Sequence, residues 1–118
     1  MTVNKAIRTA LASYIEQGWS VVPDTANKLD EVRYITFNSY YTGGDDIGDD
    51  APLADVDNVY IHLYLPEKEN YFSYMKDIRK KLFEFGFSYP SVTMMTDPDR
   101  DGYRHLIFDC EWITESEV

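Results

Sequence analysis

The stretch "NVYIHLYLPEKENYFSYMKDIRKKLFEFG", residues 58–86, changes period in its middle. Through 58–65 the side chains alternate. Val59, Ile61, Leu63 and Leu65 point one way and Tyr60, His62 and Tyr64 the other, the pattern of a strand with two unlike faces. Pro66 has no backbone N–H to give to a ladder and ends the strand. Over 69–86 the period becomes helical: Tyr71, Met75, Ile78, Leu82 and Phe85 share one face, Lys76, Asp77 and Lys80 lie outside it, and Gly86 falls at the end.

The flanks extend this reading. Val3, Ile7, Leu11, Tyr14 and Ile15 recur at helical spacing and predict a helix over 3–17, stopped by Gly18. "WSVVPD" (19–24) is a short extended piece. "VRYITFNSYY" (32–41), "SVTMMT" (91–96) and "YRHLIFDCEWI" (103–113) read as strands. The segment 42–55, "TGGDDIGDDAPLAD", has Gly, Asp and Pro without periodicity and predicts a long mobile acidic loop. The expected fold is a single α+β domain over 1–118, a mostly antiparallel sheet with two helices packed on one face.

Composition narrows the function classes. A chain of 118 residues, 44% hydrophobic and 15% aromatic with ten tyrosines, can build one real core. No apolar run approaches the roughly 18 residues that span a bilayer, so no membrane association is expected. The first residues mix charge into their apolar positions and do not read as a signal peptide. One cysteine, Cys110, cannot close an internal disulfide, which fits a reducing cytoplasm. A net charge of −10 argues against specific nucleic-acid binding. The charge is also uneven. No Lys or Arg occurs between Arg33 and Lys68, where Asp45, Asp46, Asp49, Asp50, Asp55, Asp57 and Glu67 lie, while Lys76, Arg79, Lys80 and Lys81 cluster on the second helix. Two solvated surfaces or two complementary poles of an assembling subunit would both produce this split.

The chemistry-bearing motifs read mostly as structure. "DPDRDGY" (97–103) opens like a calcium loop, but its twelfth position is Phe108 instead of a bidentate Glu, and a strand follows Gly102. It is read as the turn of a hairpin between the last two strands. The four carboxylates of Asp45–Asp50 could meet a divalent cation, though a solvated acidic loop is the plainer reading. His62 and His105 would approach each other if their strands are neighbours, yet no third ligand can be named. Cys110 falls in the apolar phase of the last strand and belongs to the core. No nucleophile elbow, phosphate loop or zinc spacing is present, so neither a cofactor nor an enzymatic role is expected. The positive signal is Tyr60, His62 and Tyr64 on a face that two helices cannot also cover, with Tyr34, Tyr40 and Tyr41 on the preceding strand. Tyrosine favours such half-wet surfaces.

Two segments carry a resemblance: "DVDNVYIHLYLPEKENYFSYMKDIRKKLFEFGFSY" (55–89) and "YRHLIFDCEW" (103–112). With Val59, Ile61, Leu63 and Tyr64, then Leu82, then Tyr103, Phe108, Cys110 and Glu111, they resemble the small tail-completion proteins of long-tailed phages and prophages, the tail terminators and head-to-tail joining proteins. The likeness covers roughly 32–113, and "ALASYIEQGWSVVPD" (10–24) is similar to the family's opening. The DPDRDG turn and the aromatic content depart from it. The resemblance implies a non-catalytic structural subunit of a virion tail or neck, assembled in a bacterial host cytoplasm. It also implies a homo-oligomeric ring, commonly sixfold, whose partners are tail tube and head connector proteins. In such a ring the interface would use Asp45, Asp46, Asp49 and Asp50, the tyrosine face, and Lys76, Arg79, Lys80 and Lys81. The runner-up reading is a small acidic cytoplasmic binding module, such as an immunity or inhibitor protein covering a basic partner.

Overall fold

The computed structural model describes residues 1–24, 32–44, 54–96 and 102–115. In chain order the elements are α1 (Val3–Ala10), α2 (Ala12–Glu16), β1 (Ser20–Pro23), β2 (Tyr34–Gly44), β3 (Ala54–Pro66), α3 (Tyr71–Phe85), β4 (Ser91–Thr96) and β5 (Tyr103–Glu115). The five strands form one sheet in the order β1-β2-β3-β5-β4. Three of its ladders are antiparallel. The β1–β2 ladder is parallel, with Val21 opposite Ile35, so the sheet is mixed at one edge. A parallel neighbour needs a longer connection than a hairpin, and the chain between Pro23 and Tyr34 supplies it.

The expected helix over 3–17 is two short helices. Thr2 caps the first, its side chain accepting from the Lys5 N–H. Leu11 (φ −102°, ψ 20°) leaves helical geometry between them. Ile7, Leu11 and Tyr14 are all buried, so the break leaves the apolar stripe intact. The helical layer therefore has three members instead of two. α3 starts on an Asn70 cap that accepts from the Phe72 N–H and ends where Gly86, at φ +130°, receives the chain.

All three helices pack on one face of the sheet. Ile7, Leu11 and Tyr14 from α1, the bend and α2, with Ile78 and Leu82 from α3, meet Val21, Ile35, Phe37, Val59, Ile61, Leu63, Leu65, Leu106, Phe108 and Cys110 in a single core. The in-facing set of β3 is the one its alternation specifies. Tyr14 Oη donates to Asp77 Oδ2 at 2.5 Å and ties α2 to α3. Tyr103 Oη donates to the Val32 carbonyl at 2.9 Å, and Arg33 pairs with Glu69. These contacts fasten the start of β2 to the end of β3 and the start of β5.

The acidic segment read as loop over 42–55 is strand at both of its ends. β2 runs on to Gly44 and β3 begins at Ala54, with Gly44 opposite Asp55 after a register shift beyond Tyr41. Ala54 and Asp55 also pair with Glu115 and Thr114 of β5. Ladder partners on both sides outweigh the poor strand propensity of this composition. Asp45, Asp46, Asp49 and Asp50 lie outside the described residues. So does most of the DPDRDG turn, although Thr96 pairs with Arg104 and Gly102 has φ +77°, as a hairpin joining β4 to β5 requires.

Candidate subunit interface

The second face of the sheet is built by the other phase of each strand: Thr36, Asn38 and Tyr40 on β2; Asn58, Tyr60, His62 and Tyr64 on β3; His105, Ile107, Asp109 and Glu111 on β5; Thr93 and Met95 on β4. None of the described helices lies on this side. Tyr34 and Tyr64, directly opposite, stack with centroids 4.6 Å apart, and Tyr64 stacks on His105 at 4.3 Å. Tyr60 meets the edge of Tyr40 at 5.8 Å. Tyr60, His62 and Tyr64, named from sequence, thus belong to one continuous aromatic surface.

At its centre is a polar chain. His62 Nε2 donates to Asn38 Oδ1 at 2.7 Å, which leaves the lone pair on Nδ1 to accept from His105 Nε2–H at 2.9 Å. Register explains the contact. His62 faces Ile107 and Tyr64 faces His105, so the two imidazoles are diagonal neighbours across β3 and β5. Burial holds the His62 imidazole below its ordinary value, opposed in part by the charge of Asp24. Uptake of two protons by the pair would set N–H against N–H and break the bond.

The basic residues lie on the opposite layer, along the outer side of α3. Lys76 sits over the Phe72 ring at 5.3 Å. Arg79 donates from Nε to the Pro90 carbonyl at 3.0 Å and its guanidinium covers the Tyr89 ring at 4.3 Å. Lys81 pairs with Asp77 at 3.3 Å. Lys80 reaches Glu84 at 3.8 Å and its side chain is 75% exposed. Arg79 and Lys81 are therefore engaged within the chain, and Lys76 and Lys80 project outward. The fold places the tyrosine face and this cationic stripe on opposite layers of the molecule.

Sequence reasoning missed the aromatic half of the stripe. Phe72 and Phe83, half exposed, share the phase of Lys76 and Lys80, and Phe83 meets Tyr89 edge-on at 5.6 Å. Their spacing of eleven, three helical turns, was the available signal. Asn38 was also missed, because its role depends on a histidine from another strand.

Among the described residues, no three His, Cys, Asp or Glu side chains converge as metal ligands. Cys110 is buried, and burial, with Asp109 and Glu111 adding, pushes its thiol up to about 12. No described helix is long and apolar enough to cross a membrane.

No protein-family model matches the chain, and no curated protein matches it in sequence. Among solved structures, it is similar in fold to a chain from the virion of a native gene transfer agent particle. The TM-score is 0.64 at 9% sequence identity, covering 97% of this chain and 95% of that one.

Proposed function

We propose that this protein is a structural subunit of a phage-like particle, and more finely a ring-forming tail terminator or head-to-tail joining protein with no catalytic step. The observation that carries the reading is the fold shared with a gene transfer agent virion chain along nearly the whole length of both molecules. The likeness of fold takes in nearly all of both chains and not a shared motif alone. The two surfaces described above support the same reading. An aromatic sheet face and a cationic helix stripe on opposite layers suit a subunit whose neighbours contact it on different sides, as a closed ring requires. In that setting the surplus negative charge would keep a passing nucleic acid from adhering.

The test is location in the particle. The chain, epitope-tagged in the host that carries its gene, should sediment with particles and be labelled by immunogold where tail meets head. A chain that stays wholly soluble in stoichiometric complex with a basic cytosolic protein would refute the structural role and establish the inhibitor reading.

A further inference from the structure

We infer that subunits associate head to tail, the outer stripe of α3 on one copy seating on the open sheet face of the next, with Lys76 and Lys80 meeting Asp109 and Glu111. The inference rests on the structural-subunit reading and deepens it by naming the contact.

Size comes first. The strand segments that make the open face, at about 3.3 Å rise per residue and about 4.8 Å spacing, cover on the order of 550 Å² in projection. Side-chain relief raises the accessible area toward the roughly 800 Å² that each partner contributes to a standard stable interface. The face sets aromatic and apolar side chains among its polar ones. Tyr40 is 61% exposed, Ile113 53% and Met95 42%, apolar area that a neighbour would cover.

Charge and spacing then select the occupant. Asp109 and Glu111 are exposed on this face, two residues apart on β5, and so about 6.7 Å apart. Lys76 and Lys80 are one turn apart on α3, about 6 Å along the helix axis. The two pairs match in sign and spacing. Phe72 and Phe83 bracket the lysines on the same stripe and supply aromatic contact to the tyrosine-rich surface on either side. The complementary surface is thus already present on the same chain, at the opposite layer of the fold. A contact between two unlike patches of one chain is heterologous, and repeats until the rotation closes. Stacking two identical sheet faces would instead leave the α3 lysines without a role and give a dimer that stops.

The experiment uses the full chain in three forms: wild type, Lys76→Glu/Lys80→Glu, and Asp109→Lys/Glu111→Lys, each checked for folding by circular dichroism and thermal melt. Mass is read by light scattering across concentration at low salt. Wild type should assemble. Each variant alone sets like charge against like charge and should lose at least about tenfold in apparent affinity. Mixed one to one, the two variants should assemble again in alternation, because the Glu helix of one meets the Lys face of the other while the remaining contacts are native. A helix variant that assembles as wild type does, or a mixture that stays monomeric, overturns the head-to-tail contact and leaves the subunit reading standing. Wild type that remains monomeric at every concentration overturns the contact too, while immunogold labelling of particles independently judges the subunit reading.

Discussion

Replacing Tyr14 by Phe removes one oxygen from the seam between α2 and α3. The ring stays, with its burial and its packing 4.9 Å from Trp19. What goes is the hydroxyl that donates to Asp77 Oδ2 at 2.5 Å. A hydrogen bond to a charged group contributes about 1.5–3 kcal/mol. Asp77 is 43% exposed and its other oxygen meets Lys81, so water resolvates the carboxylate once the hydroxyl is gone. The expected loss therefore falls at about 1–2 kcal/mol. With an unfolding entropy of about 2.1 cal/mol/K per residue, a loss of 1.5 kcal/mol lowers Tm by about 6 °C in a chain of 118 residues. Urea titration and calorimetry measure both numbers. A cycle with Asp77→Ala isolates the pair and should give a coupling of about 1 kcal/mol. Burial, and then Asp77, hold the phenol far above its ordinary range, so alkaline difference spectra should show this tyrosine ionising only as the fold opens. A Phe variant within about 0.3 kcal/mol of wild type, or a cycle with no coupling, would refute the claim that this bond joins the helical layer.

Three further outcomes are expected. Because burial lowers the His62 pKa from its ordinary 6.5, the unfolded chain binds more protons in the window just below that value. Stability should be complete above pH 6.5 and fall as pH drops through the window, and His62→Gln should flatten the profile in urea melts at pH 5.5 and 7.5. Gly86→Ala should destabilise by about 1–3 kcal/mol, since it places a Cβ at φ +130° and 3.4 Å from the Trp112 ring. Gly18→Ala, at φ +92° with nothing within 4 Å, should cost less in the same thermal melt. The Cys110 thiol, pushed up to about 12, should react with a disulfide reagent at pH 8 at least about a hundredfold more slowly in the native chain than in urea.

The central strand and the last helix were readable because each has two unlike sides. Val59, Ile61, Leu63 and Leu65 are all buried as their alternation requires, and the stripe of Ile78 and Leu82 is buried as its period requires. The parallel partner of β1 was not readable. Val21 and Val22 specify an extended piece, and nothing local says in which sense a neighbour runs. The same limit explains the underestimated ends of β2 and β3. Gly44, Ala54 and Asp55 look like loop until their ladder partners on the neighbouring strands are known. The polar chain of Asn38, His62 and His105 joins three strands, and its last link appears only because β5 sits between β3 and β4. The tyrosine face was legible as a surplus of half-wet side chains on one strand phase, and the basic cluster as a helical stripe. That Arg79 and Lys81 are tied down within the molecule while Lys76 and Lys80 project outward depends on Pro90 and Asp77, partners that local patterning of charge does not reveal.

The strand order also governs how such molecules can fail. The long strands β2, β3 and β5 all lie inside the sheet, and its two margins are the shortest strands, β1 with four residues and β4 with six. β1 closes on Pro23, which offers no N–H, and β4 follows Pro90. Margins this brief are poor templates for a foreign strand. At high local concentration the molecule is thereby guarded against runaway sheet extension, the route by which crowded β-structure turns into fibre. The longest and most adhesive backbone stays locked inside the molecule, and recognition is left to side chains, where charge can be tuned without touching the fold.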